Sequence, residues 1–174
     1  MARNQKKSKA YSPPAKSVTL LPRRGKSAAK KPVGAPARVV LMEASSIPES
    51  KLTSMEKMKL IEGGLSKKHL EQLKQKAGLD YDQLATVLNV ARSTLINKKG
   101  AAKFSGDLSE RIMGLADIYS YGYEVFGNSE DFNEWIFREN KALGGSTPFE
   151  LLHNQFGREE VKNLIGRIDY GVYS

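Results

Sequence analysis

Apolar residues recur at helical spacing through most of the chain beyond residue 50. Leu70, Leu73 and Ala77 fall at steps of three and four residues, which places their side chains on one face of an α-helix. Leu108, Ile112 and the apolar residues that follow them have the same spacing over a longer stretch. No strong alternating strand pattern precedes the last nine residues, so the pattern predicts an all-α protein.

Capping residues mark where these helices begin and end. Thr53 with Glu56 and Thr147 with Glu150 have capping-box spacing, and Gly78 stands where a C-terminal glycine belongs. The predicted helices are one beginning after Thr53, one after Ser66 and one after Asp80, one from Arg92 to Lys99, one capped by Asp107 and ending near Phe126, one capped by Ser129, one beginning at Pro148, and one from Arg158 to Ile165.

The amino-terminal segment has a different composition. Residues 1–40 contain 11 Lys or Arg and no acidic residue, and their apolar clusters are confined to residues 18–21 and 39–42. Such a segment buries too little apolar surface to offset the entropy of ordering it. We therefore predict a disordered basic arm over residues 1–50, which is either a solvated tail or a source of nonspecific phosphate contacts.

The distribution of charge separates the rest of the chain into two parts. The net charge of the chain is +9, but residues 104–174 hold 12 acidic residues against 6 Lys or Arg, and 12 of the 14 aromatic residues. The basic middle of the chain is suited to binding a polyanion, whereas its acidic and aromatic end is suited to binding a protein. We predict a DNA-binding domain over residues 51–104 and a small helical protein-binding domain over residues 105–174.

The remaining composition argues against several classes of protein. The chain has no cysteine and no apolar run long enough to span a membrane, so we expect a cytoplasmic protein that is nucleoid-associated when bound to DNA. His69 and His153 lack the neighbours of a metal set, and the loop at residues 144–147 lacks the lysine of a phosphate-binding loop. We predict no metal, no cofactor and no enzymatic activity.

Residues 81–100, YDQLATVLNVARSTLINKKG, have the layout of a helix-turn-helix. Leu84 and Leu88 face Ala91 and Leu95 across a turn at Val90, which leaves polar residues on the outer side of the second helix. In the major groove, Arg can contact guanine, Asn can contact adenine, and Ile can contact the methyl group of thymine. The predicted DNA-binding residues are Arg92, Ser93, Thr94, Ile96, Asn97, Lys98 and Lys99. The alternative is an ordinary helical pair in which Ile96 belongs to the core.

This segment resembles the helix-turn-helix of Xre-type repressors. The resemblance is carried by Leu84, Ala85, Leu88, Val90, Arg92, Ser93 and Thr94. Two positions depart from the family pattern, because Tyr81 replaces the usual glutamine and Ala91 replaces the usual serine cap. The loss of a serine cap costs about 1 kcal/mol of helix stability.

The last residues alternate apolar and polar side chains between two glycines, which suggests a tail that reaches a protein partner. Together with the motifs before it, this ending resembles the Xre/MbcA/ParS antitoxins from about Met58 to the end. The motifs are LSER at residues 108–111, VFG at 125–127, Trp135, NKALGGSTP at 140–148, the double leucine at 151–152 and GRIDYGVY at 166–173.

The resemblance implies an antitoxin that neutralises a RES-domain toxin, an NAD-consuming or ADP-ribosylating enzyme, and a homodimer that represses its own operon. It also implies that the carboxyl-terminal segment lies near the active-site cleft of the toxin, where its Arg, Asp and Tyr side chains would take positions that NAD uses. The predicted toxin-binding residues are Gly166, Arg167, Ile168, Asp169, Tyr170, Gly171, Val172, Tyr173 and Ser174.

Two alternatives remain open on the sequence. The chain could be a solitary transcription regulator whose second domain binds a ligand or another protein. It could also be a protein-binding antitoxin in which the departures at Tyr81 and Ala91 have removed DNA binding.

Overall fold

The computed structural model describes residues 40–99 and 101–171. Within these residues the chain is all-α, as predicted, and none of the helices is both long and apolar enough to cross a membrane. The α-helices are α1 (Ser54–Gly63), α2 (Lys67–Ala77), α3 (Tyr81–Val87), α4 (Arg92–Ile96), α5 (Gly106–Phe126), α6 (Ser129–Ile136), α7 (Pro148–Leu151) and α8 (Gln155–Asp169), with 3₁₀ turns at Glu49–Lys51 and Lys141–Leu143.

Most of the predicted helix ends are confirmed. Both predicted capping boxes form, and Gly78 ends α2 in the left-handed conformation. Two caps differ from the prediction by one or two residues, because Ser105 caps α5 in place of Asp107 and Asn128 caps α6 in place of Ser129. The larger differences are in length: α4 ends at Ile96, and α8 covers 15 residues where eight were expected.

The long helix α5 forms the centre of the molecule. It packs against α1, α2, α6, α8 and the first 3₁₀ turn, and most of its residues are buried. Tyr119, Tyr123 and Phe132 form an aromatic cluster with edge-to-face rings whose centroids are 5.2–6.0 Å apart. One hydrophobic core therefore contains residues from both sides of position 104, and the separation into two domains at that position stays a prediction.

A buried carboxylate fixes the chain where it enters this core. Leu41 and Met42 are fully buried, and the Glu49 carboxylate accepts their backbone N–H groups at 3.0 and 2.6 Å. Burial raises the pKa of the Glu49 carboxyl, and the two N–H groups offset part of that effect. The predicted disordered arm of residues 1–50 is therefore wrong from residue 40 onward, while residues 1–39 lie outside the described part of the chain.

A second buried carboxylate connects three helices. Asp117 of α5 accepts hydrogen bonds from Lys57 of α1 and from Lys162 of α8, each at 2.7 Å. Asp117 is 9% exposed, so both ion pairs are partly shielded from water. Because an unpaired buried charge is costly, this arrangement holds α1 and α8 in fixed positions on α5.

Candidate nucleic-acid interface and partner-binding surface

The turn between α3 and α4 is tight and is held from both sides. Asn89 adopts a positive φ of 50°, and the Val90 N–H bonds the Ala85 carbonyl at 3.0 Å. The Arg111 guanidinium of α5 donates to the carbonyls of Leu88 and Asn89 at 3.0 and 3.3 Å. The sequence pattern located the turn, but it placed Arg111 only within the LSER motif of the long helix and did not predict its contact with the turn.

The second helix of this unit presents its polar side outward. Leu95, on the inner side of α4, is fully buried together with Leu84 and Leu88. Of the seven predicted DNA-binding residues, Lys98 is half-buried and the following are exposed: Arg92, Ser93, Thr94, Ile96, Asn97 and Lys99. Ile96 is 38% exposed, so it lies at the surface and not in the core. The structure thus brings all seven residues together around α4 and its carboxyl end.

Several charged side chains around α4 already have partners. Arg92 forms an exposed ion pair with Asp82 of α3, with 3.2 Å between guanidinium and carboxylate. Lys67 of α2 donates to the Ile96 carbonyl at 2.6 Å, and the Lys98 ammonium lies 5.6 Å from the centre of the Phe104 ring. An exposed ion pair is worth at most about 1 kcal/mol, so Asp82 orients Arg92 without locking it.

Tyr81, which departs from the repressor pattern, has an alternative role in the structure. Its hydroxyl donates a hydrogen bond to Glu71, and the Lys74 ammonium lies over its ring at 5.2 Å from the centroid. Burial and the neighbouring Glu71 raise the pKa of Tyr81 to about 12. Tyr81 therefore joins α2 to the start of α3. At the other departure, Ala91, no side chain caps α4.

The structure corrects the predicted extended tail. Residues 166–169 form the last turn of α8, and the Tyr170 and Gly171 N–H groups bond the carbonyls of Gly166 and Ile168. The helix extends this far because Val161 and Ile165 remain buried in the core. Val172, Tyr173 and Ser174 lie outside the described residues.

Two aromatic side chains are exposed on the side of α8 that faces away from the core. Phe156 and Tyr170 are 81% and 83% exposed, although apolar rings are usually buried. At 100° per residue, Asn163 and Arg167 lie between them on the same line along the helix. We call Phe156, Asn163, Arg167 and Tyr170 the outer face of α8.

The outer face shares two residues with the predicted partner-binding set. Arg167 lies 3.8 Å from Glu160, and Asp169, at the edge of the face, accepts a hydrogen bond from the Tyr121 hydroxyl at 3.5 Å. In the sequence, Phe156 lies four residues after Leu152, which is the spacing of a residue on the apolar side of the preceding helix. Its spacing from the polar residues of α8 was the signal that could have placed it on the surface.

Two family profiles match this chain. The profile of the antitoxin Xre-like helix-turn-helix domain matches residues 56–117, and that of the antitoxin Xre/MbcA/ParS C-terminal toxin-binding domain matches residues 122–171. The first match contains α3 and α4, and the second contains α8 with its outer face.

Two curated relatives are similar over part of their length. A protein named antitoxin Xre from Photorhabdus laumondii subsp. laumondii is 34% identical over 76 residues, which are 43% of this chain and 51% of that protein. A protein of the same name from Yersinia enterocolitica is 31% identical over 85 residues, or 48% of this chain and 57% of that protein. The chain thus spans about half the length of the curated relatives it matches.

Proposed function

The chain belongs to the Xre/MbcA/ParS antitoxin family, and we propose that it neutralises a toxin through α8 and binds operator DNA through α4. The observation that carries this proposal is the presence of two outward surfaces of different chemistry. The surface at α4 is polar and basic, whereas that at α8 has two exposed aromatic rings. We propose a cytoplasmic protein, nucleoid-associated when bound to its operator, with no enzymatic activity of its own.

The proposed DNA surface follows the geometry of other helix-turn-helix proteins. The recognition helix of such proteins enters the major groove, and the helix before it crosses the sugar–phosphate backbone. The exposed Arg92, Asn97 and Ile96 then face base edges, while Lys98 and Lys99 approach phosphates. We propose that a homodimer binds the promoter of its own operon in this way and represses it.

The proposed toxin surface is the outer face of α8 with the residues that follow it. Aromatic and Arg side chains supply most of the binding energy at protein interfaces, and this face offers Phe156, Tyr170 and Arg167. We propose that the partner is a RES-domain toxin and that Arg167, Asp169 and Tyr170 lie at its NAD-binding cleft. This face belongs to residues 104–174, which include 12 acidic residues. The acidic surroundings favour a partner with a basic rim.

Co-expression with the neighbouring gene tests the antitoxin function. A product of that gene that stops growth and lowers cellular NAD is expected to lose both effects when this chain is co-expressed. If growth stops while NAD stays constant, the RES assignment is wrong but the antitoxin assignment is not. If the neighbouring product is harmless, or if the chain fails to rescue growth, the antitoxin function is contradicted and a solitary regulator becomes the better explanation.

Substitutions in α4 test the proposed operator contacts. We expect Arg92→Ala and Asn97→Ala each to weaken operator binding by about 1–3 kcal/mol, because each removes a contact to a base edge. Gel-shift titrations at fixed salt measure the effect, and toxin binding should not change. Arg138→Ala is a matched control, since Arg138 also forms an exposed ion pair, with Glu134. Unchanged gel shifts for both α4 variants would show that another surface binds the operator.

A further inference from the structure

We propose that Arg111 of α5 is a positioning residue for DNA recognition, which holds α4 in the orientation in which α4 reads the operator. In this role Arg111 makes no contact with the DNA and acts through the turn between α3 and α4. The inference rests on the proposed operator binding of α4, and it adds a residue that lies outside the predicted DNA-binding set.

The proposed recognition helix has few contacts of its own that fix its orientation. α4 is five residues long, and Leu95 is its one buried residue. Ala91 precedes it without a side-chain cap, where Ser, Thr, Asp or Asn would accept a backbone N–H of the first turn. A helix this short does not keep its conformation alone. The orientation of α4 therefore depends on groups outside the helix.

The Arg111 guanidinium is such a group, at the turn that leads into α4. Its Nη1 nitrogen donates to the carbonyl oxygens of Leu88 and Asn89 at 3.0 and 3.3 Å. The last carbonyls of a helix have no partner within that helix, and a cation at this end also interacts favourably with the helix dipole. Because α4 begins at Arg92, three residues after Asn89, the position of these carbonyls determines where α4 starts.

The backbone that carries Arg111 is held firmly by the core. Leu108 and Leu115, which lie three residues before and four residues after Arg111 on the same side of α5, are both buried. The turn, by contrast, contains Asn89 at a positive φ of 50°, a conformation that residues other than glycine seldom adopt. A donor on a buried helix thus holds a turn whose conformation is locally unfavourable.

Contacts to bases depend more strongly on the position of the recognition helix than contacts to phosphates. Arg and Asn contact bases in a bidentate manner, so both bonds of a pair weaken when the helix tilts or shifts. Contacts of Lys98 and Lys99 to phosphates would carry no sequence information and would come from flexible side chains. We therefore expect loss of the Arg111 contact to reduce discrimination between sequences more than affinity for DNA in general.

Arg111→Met in the full-length chain removes both hydrogen bonds and keeps the apolar part of the side chain. We expect operator affinity to fall about tenfold, the value of one bidentate base contact, while affinity for a scrambled duplex stays within about twofold. The slope of log affinity against log salt should not change, whereas loss of a direct phosphate contact would lower it by about 0.9. Arg111→Lys should recover most of the discrimination, because an ammonium has three donors for the two carbonyls. Arg138→Met, at an exposed ion pair with Glu134, is the matched control and should change neither affinity.

A double-mutant cycle with Asn97→Ala tests whether Arg111 acts through α4. If Arg111 positions Asn97, Arg111→Met should weaken operator binding less in the Asn97→Ala background than in the parent. Additive losses, a lower salt slope, equal losses on operator and scrambled DNA, or loss of toxin binding would each overturn the proposal. An effect of Asn97→Ala with none of Arg111→Met would overturn it as well and would leave the α4 assignment intact. If the α4 assignment itself is wrong, Asn97→Ala alone leaves operator affinity unchanged.

Discussion

Replacement of both Phe156 and Tyr170 by Glu is expected to abolish toxin neutralisation and to weaken the complex at least about 100-fold. Both rings are more than 80% exposed in the free protein, so their loss should cost the fold little. In the complex each would be buried, and a buried aromatic anchor typically contributes 2 kcal/mol or more. Two such losses exceed the roughly 2.7 kcal/mol that corresponds to a factor of 100.

Rescue of growth and calorimetric titration of the toxin measure the effect. A double variant on another surface, Met55→Glu with Met58→Glu, introduces the same charges at exposed apolar positions of α1 and should neutralise the toxin normally. Both double variants should keep the helical circular dichroism and unfolding temperature of the parent. Full rescue by the α8 variant would place the toxin on a different surface, whereas loss of rescue in both variants would exclude a specific role of α8.

The ends of most helices could be predicted because local chemistry determines them. The Thr53 hydroxyl and the Glu56 carboxylate satisfy N–H groups within the first turn of α1, and no other part of the chain is needed. Gly78 similarly ends α2, since only a residue tolerant of positive φ fits there. The same reasoning located the helix-turn-helix, and its predicted DNA-contacting residues do lie at the surface.

The differences arose where distant residues determine the outcome. Leu41 and Met42 join the core because Glu49 satisfies their N–H groups. The sequence before them is rich in Lys and Pro and gave no indication of that contact. Residues 166–169 alternate like a strand, yet α5 provides an apolar surface on which α8 continues. Phe156 has the spacing of a core residue only if α7 continues through it, but a new helix begins at Gln155 and directs the ring to solvent. Each difference therefore depends on tertiary contacts.

The contacts around the proposed recognition helix show the same limit. The position of Arg92 on α4 follows from its spacing, but its ion pair with Asp82 depends on the angle between α3 and α4. The support of the turn by Arg111 joins residues more than 20 positions apart. Residue types and spacing thus identify the proposed DNA-binding surface. The folded structure determines which of its side chains already have partners in the free protein.

Two glycines of α8 are expected to respond in opposite ways to the same substitution. A Cβ atom at Gly157 would overlap the backbone carbonyl oxygen of Leu151, at the point where α7 turns into α8. A backbone atom cannot move aside as a flexible side chain can, so α8 would have to shift from its position on α5. We expect Gly157→Ala to lower the free energy of unfolding by about 3 kcal/mol or more.

Gly166→Ala is the matched control on the same helix. A Cβ atom there would meet the Tyr121 hydroxyl at 3.6 Å, an ordinary contact, and alanine is preferred over glycine inside a helix by roughly 0.5–1 kcal/mol. Urea unfolding followed by circular dichroism should thus show Gly166→Ala equal to or more stable than the parent. Toxin binding by Gly157→Ala should fall with its stability, because the displaced α8 carries the outer face. A Gly157→Ala protein of parental stability would mean that α7 and α8 are not packed as closely as described.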